Sequence, residues 1–237
     1  MENTTIAEML AAVEERILRA CERSKRERGE VSIVAVTKTF GPDVVEEALA
    51  AGLRIFGENR VQEAAAKMPL CPSYAEWHLI GNLQRNKVRH ALTLFPVIHA
   101  VDSIKLLEAI DKVADEEGLR PQILLEVNVS GEASKFGFKP DAVAAAIEAA
   151  LSANNLTVCG LMTMAPFVPD AAETRPYFAK LRNLRDQLEQ TFAIGLPQLS
   201  MGMSNDFEVA VEEGATLIRL GTVLFGHRRK WRDMQEE

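Results

Sequence analysis

Lys38 is the residue of this 237-residue chain that could do covalent chemistry. It closes the run Val-Ser-Ile-Val-Ala-Val-Thr-Lys at 31–38, an apolar, β-branched stretch of the kind that forms a buried strand. A lysine held at an apolar strand end loses solvation and its pKa falls. The neutral amine can then add to an aldehyde and form a Schiff base. The competing role is a solvated strand terminus or half of an ion pair. Two later stretches carry polar donors. Ser200-Met201-Gly202-Met203-Ser204-Asn205-Asp206 offers two hydroxyls, a glycine and the start of a helix. Gly221-Thr222 offers amides and a hydroxyl. Such donors suit a phosphate, although Ser204, Asn205 or Asp206 could serve only as a helix cap. An aldehyde cofactor that also carries a phosphate is pyridoxal 5′-phosphate. Arg219 lies two residues before Gly221 and shares its side of a strand. It could meet that cofactor's ring nitrogen, or pair with an acid such as Glu58 or Glu126. Arginine only donates, so it disfavours a protonated ring and weakens it as an electron sink.

The elements around these residues repeat one pattern. Strands are expected at 31–37, 53–56, 77–80, Val97–Val101, 122–128, 156–164, 198–201 and Leu217–Leu220. Helices are expected at 4–27, 42–51, Val61–Lys67, 84–92, Ile104–Glu117, 140–152 and 172–190, with a short one ending at Val211. Strand alternating with helix implies parallel pairing through right-handed crossovers. Eight units in about 200 residues point to a closed (β/α)₈ TIM barrel of α/β class with an extra N-terminal helix. An open doubly wound sheet should carry a G-x-G-x-x-G turn after strand 1, where this chain has Lys-Thr-Phe-Gly. No linker is evident, so 1–237 is expected to form one domain, with a helix within 1–30 and a charged tail at 227–237. Barrel chemistry sits at the carboxyl ends of the strands. Those ends carry Lys38, Asn59, His78, Asn82, His99, Asp102, Asn128, Ser130, Met162, Thr163 and the loops named above. Strand 8 closes against strand 1, so Lys38 and the phosphate-type loops should be neighbours. His78 and His99 fit packed or hydrogen-bonded strand residues better than acid–base groups.

Composition bounds the function. A net charge of −7 argues against a general nucleic-acid binder. Cys21, Cys71 and Cys159 are widely separated, with no CxxC pair and no zinc-type cluster, so no metal is expected. Sparse cysteines fit reduced thiols in a cytoplasmic protein. No basic segment leads into an apolar core at the N-terminus, so no signal peptide is expected. No apolar run approaches the roughly 18 residues of a membrane helix. Basic clusters at 84–89 and at Arg228-Arg229-Lys230 suit solvated faces or a docking surface for a partner.

These stretches together resemble the family of pyridoxal-phosphate homeostasis proteins (YggS/PROSC type, alanine racemase N-terminal-domain-like). The matching segments are VAVTKTF, IFGENRVQE, WHLIGNLQRNK, HAVDS, LLEVNVSGEASKFGF, GLMTMAP and LSMGMSNDFEVAVEEGATLIRLGTVLFG. The resemblance implies a barrel that binds pyridoxal 5′-phosphate through Lys38. Phosphate would lie near Ser204, Gly221 and Thr222, with Arg219 near the ring nitrogen. Asn59, His78, Met162, Met201 and Gly202 would line the pocket. The implied role is buffering the cofactor and delivering it to apo-enzymes, by a non-catalytic monomer. The alternative is a racemase-like enzyme. Racemases of this fold add a β domain with a catalytic tyrosine, whereas no further domain is expected after Gly226, and Tyr74 and Tyr177 avoid strand ends. A sugar-phosphate isomerase or lyase would need Glu58 or Glu126 as base.

Overall fold

A computed structural model describes residues 5–132 and 135–226. The tail at 227–237, with Arg228-Arg229-Lys230, lies outside them. Eight parallel strands close into a barrel in chain order. They are β1 Ser32–Val36, β2 Ile55–Glu58, β3 Glu76–Leu79, β4 Val97–Val101, β5 Gln122–Glu126, β6 Thr157–Met162, β7 Gln198–Met203 and β8 Leu217–Leu220. The helices are α1 Ile6–Ser24, α2 Pro42–Ala50, α3 Val61–Lys67, α4 Val88–Leu92, α5 Ile104–Glu117, α6 Val143–Ser152, α7 Arg175–Phe192, α8 Phe207–Glu212 and α9 Thr222–Phe225. The (β/α)₈ expectation therefore holds.

Strand periodicity divides the core in two. Val34, Val36, Val97, Leu124 and Leu217 pack inside the barrel with Ile80, Cys159 and Met162. Their alternates Ile33, Ala35, Ile123, Leu125 and Ile218 pack outward with the helices. Strands buried on both faces explain the continuous apolar runs.

The helix α1 covers a thin part of the wall. It opens with a capping box in which Thr5 and Glu8 exchange hydrogen bonds. Its apolar stripe Val13, Ile17 and Ala20 is buried, and it packs along α8, which has only six residues. Arg16 pairs with Glu208 at 3.0 Å and Arg23 with Glu212 at 2.6 Å. Arg26 donates to the carbonyls of Val211 and Ala215, both at 2.8 Å.

Four local readings shift. β2 runs two residues later than its apolar residues suggest, which brings Glu58 into the strand. β5 stops at Glu126 because Asn128 N–H turns to the carbonyl of Phe138. The segment 84–92 is a 3₁₀ turn over Arg85–Lys87 before α4. A short α9 follows β8, where no helix was expected.

Close strand approach is strictest at Gly160, where an added methyl would be driven into the carbonyl oxygen of Gln198 on β7. Gly160→Ala should therefore cost about 1–3 kcal/mol, the range for overpacking a tight core. Urea unfolding checks this, and a loss below about 0.5 kcal/mol, the usual scatter of harmless substitutions, would contradict it.

Candidate functional site

At the carboxyl end of the barrel lies a cavity of about 430 Å³. Lys38, Asn59, Ser204, Arg219, Gly221 and Thr222 all line it. Six of the ten residues expected at the site thus share one cavity. Closure of the sheet makes the juxtaposition: Val34 on β1 is registered with Arg219 on β8. Phe136, Met164 and Phe167 supply an apolar wall.

The other four sit elsewhere. Met162 is fully buried in the inner barrel, and His78 lies in the barrel interior against His99. Met201 packs outward between sheet and helices. Gly202 has a φ of +92°, and a methyl there would lie 2.5 Å from the Ala210 methyl. The register of β7 against β8 also slips between Ser200 and Met203. Gly202 thus serves a bulge and the close packing of α8.

Lys38 is half-buried, and both of its neighbours are held by one buried cluster. Thr37 donates its hydroxyl to Glu58 at 2.7 Å. Lys67 on α3 donates to the Thr37 carbonyl at 2.8 Å and to Glu58 at 2.7 Å. Thr39, at φ +72°, donates its N–H to Glu63, which also lies 3.6 Å from Lys67. The side chains of Glu58 and Lys67 are 0% exposed. Burial pushes the Glu58 carboxyl up from its ordinary value, and the Lys67 ammonium opposes that shift. Sequence reading missed this clamp. Its only signals were an i,i+4 Glu63–Lys67 pair and an acid at a strand end.

The loops after β7 and β8 meet at one oxygen. Ser204 Oγ accepts hydrogen bonds from the N–H groups of Gly221 and Val223, both at 3.3 Å. Asp206 accepts from Met203 N–H at 2.6 Å and closes the β7 turn. Asp206 stands at the N-cap position of α8, yet its side chain makes no cap hydrogen bond there, and the convergence is at Ser204. Two amides gathered round one oxygen form a cradle that an anionic oxygen could also occupy.

Arg219 is 4% exposed. It donates to Ser200 Oγ at 2.6 Å and to the Thr163 carbonyl at 2.9 Å. Among the described residues it forms no ion pair, and Glu58 belongs to Lys67. Burial draws its pKa down to about 10. Glu126 lines the same cavity, 3% exposed. Burial lifts its carboxyl to about 7, Asp102 adds to the rise and Arg219 opposes it. The cavity therefore combines an amine, an anion cradle, a fixed cationic donor and an apolar wall. These fit a phosphorylated aromatic aldehyde with a ring nitrogen. Among the described residues no group of ligating side chains could hold a metal.

The family model for the alanine racemase N-terminal domain matches residues 9–229. The pyridoxal phosphate homeostasis protein of Aquifex aeolicus is 44% identical over 223 residues, 94% of this chain and 98% of that one. The structure of PipY from Synechococcus elongatus with pyridoxal phosphate bound superposes with a TM-score of 0.81 at 40% identity. It covers 94% of this chain and 100% of PipY. Alanine racemase from Clostridium difficile shares the fold alone, at 14% identity and a TM-score of 0.71. It covers 93% of this chain and 62% of the racemase.

The clamp and the cavity acid each lead to a stability test. Lys67→Met strands the Glu58 carboxylate in a dry core, so it should cost about 3–5 kcal/mol, as breaking buried ion pairs does. The Lys67→Met/Glu58→Gln double variant should recover part of that loss in urea unfolding. A single-variant loss below about 1 kcal/mol would refute the clamp. For Glu126, a folded pKa of about 7 against an ordinary 4.5 means that the folded state binds more protons between those values. Its stabilising contribution is full below pH 4.5 and disappears as pH rises through 7. Relative to Glu126→Gln, the wild type should lose about 2.5 kcal/mol between pH 5 and 8. Parallel pH profiles of the two proteins would contradict this.

Proposed function

This chain belongs to the pyridoxal phosphate homeostasis proteins of the alanine racemase N-terminal-domain family, and we propose that it stores and hands on pyridoxal 5′-phosphate without turning over a substrate. The observation that carries the reading is that Lys38, the Ser204–Gly221–Thr222 cradle and Arg219 line one cavity. The cofactor contributes an aldehyde and an electron-accepting ring. Lys38 holds it covalently as a Schiff base that water or another amine can reverse. Ser204, Thr222 and the amides of Gly221 and Val223 bind its phosphate. Arg219 directs N–H groups at its ring nitrogen, and Asn59 completes the wall.

Two features favour holding over catalysis. Arg219 cannot accept a proton, so it keeps the ring nitrogen unprotonated and the ring a poor electron sink. Neither tyrosine lines the cavity. The protein acts in this reading as a cytoplasmic monomer that supplies apo-enzymes. Its three free cysteines suit a reducing compartment. Among the described residues no helix is long and apolar enough to cross a membrane.

Glu126 favours a second reading. A cavity carboxyl with a pKa of about 7 has the basicity of a general base, and it shares the cavity with Lys38, as a racemase-like enzyme would need.

The protein incubated with pyridoxal 5′-phosphate should turn yellow. Borohydride should bleach it and leave a reduced adduct on Lys38 that Lys38→Ala lacks. The loaded protein should also reactivate an apo-enzyme. A colourless protein would sink the cofactor reading. Racemisation of alanine or serine, lost in both Lys38→Ala and Glu126→Gln, would favour the enzyme instead.

A further inference from the structure

Behind Arg219 a line of hydrogen bonds crosses the barrel core to its opposite mouth. Arg219 donates to Ser200 Oγ at 2.6 Å. Ser200 Oγ lies 2.8 Å from His99 Nδ1, and His99 Nε2 lies 2.9 Å from His78 Nδ1. His78 Nε2 lies 3.0 Å from Glu76 Oε1. The line starts at the cavity and steps through β8, β7, β4 and β3. It ends at the first residue of β3, where the Glu76 side chain is 51% exposed. Ser200 and His99 are 0% exposed, and His78 is 4% exposed.

Donor and acceptor chemistry allows the line one direction. Arg219 can only donate, so Ser200 oxygen accepts from it. The single Ser200 proton then has His99 Nδ1 as its partner, and that nitrogen must be bare. His99 therefore carries its proton on Nε2 and donates to a bare His78 Nδ1. His78 in turn carries its proton on Nε2 and donates to the Glu76 carboxylate. The hydrogen bond from His78 holds that carboxyl below its ordinary value. The reverse order would set a bare His78 nitrogen against a carboxylate and leave the Ser200 proton without an acceptor. Burial of His99, with His78 and Arg219 beside it, opposes a second proton on that ring.

We propose that Glu76, His78, His99 and Ser200 are positioning residues that form a one-way hydrogen-bond chain and lock Arg219 as a fixed donor to the cavity floor. Ser200 and the Thr163 carbonyl hold one N–H on each terminal nitrogen of the guanidinium. Its remaining N–H groups are thereby fixed in direction, because the guanidinium is planar. Linked hydrogen bonds polarise one another, so the Glu76 charge at the far mouth strengthens the bond at Ser200. The chain selects ligands whose buried ring presents a lone pair and rejects those that present an N–H. This selectivity rests on the proposed contact between Arg219 and the cofactor ring; the chain itself does not.

Long-range proton–nitrogen spectra of the histidine-labelled apo-protein at neutral pH test the direction. His78 and His99 should both be neutral, with protons on Nε2 and bare Nδ1 atoms. A proton on Nδ1 of either ring, or an imidazolium, would overturn the chain. Glu76→Ala tests transmission, because Glu76 lies outside the cavity and its side chain is half-exposed at the first residue of β3. It should shift the His99 ring signals and move the visible band of the protein loaded with pyridoxal 5′-phosphate, while Glu76→Gln, which keeps the acceptor oxygen, should restore most of both. His99 signals unchanged in Glu76→Ala would overturn the positioning role. The expected tautomers in a protein that stays colourless would uphold the chain and sink the cofactor reading.

Discussion

The pairing of β1 with β8 is the constraint on which the site depends. Register places Val34 opposite Arg219 and Ala35 opposite Leu220. One closure contact therefore brings the first loop of the barrel beside the last. Lys38 and Gly221 are far apart in the chain, and only a sealed sheet makes them walls of the same cavity. Sealing in turn needs the strands to approach without obstruction. Gly160 meets that need between β6 and β7, and the Gly202 bulge lets β7 turn away before its loop reaches Ser204.

Closure also forces polar groups into the dry interior, and the molecule handles them in two ways. Around Lys38 it pairs opposite charges, with Lys67 set between Glu58 and Glu63 and the neighbouring backbone tied to the same groups. Such a cluster is a weak source of net stability, because desolvation offsets attraction. Its value lies in geometry: Thr37 and Thr39 cannot move without leaving a buried charge short of a partner. Around Arg219 the molecule uses neutral groups instead. Ser200 and the Thr163 carbonyl hold the guanidinium, His99 backs Ser200, and the cavity carboxyl Glu126 is driven towards its neutral form by burial.

Most of the fold was legible because strand and helix periodicities differ and because both faces of each strand are buried. The outer ends of elements were less legible. Glu58 looked like a turn residue because strand 2 has a glycine before it and an acid at its end, and only pairing with β3 reveals that both belong to the strand. At the cavity, Lys38, Asn59, Ser204, Arg219, Gly221 and Thr222 were readable as its lining, since each lies at the carboxyl end of a strand. Met201 and Met162 were not. A methionine at a strand end gives no sign of which face it presents, and here Met201 faces the helices while Met162 fills the barrel. The Lys67 clamp and the histidine line were hidden for a different reason. Each joins residues on separate elements whose contact exists only after closure.

These two arrangements divide the work of holding a ligand. The clamp fixes the backbone that carries Lys38, whose half-buried side chain lines the cavity. The core line fixes Arg219 from behind and leaves donors on its cavity side. In the proposed reading, a covalent bond that water or another amine can reverse is combined with a rigid, donor-only floor. A floor of this kind does not protonate a ring nitrogen, so it would bind such a ring without drawing electrons through it. Release would then require only exchange at Lys38, with the buried network left in place. Such a division suits a protein that must take up and give back the same molecule unchanged.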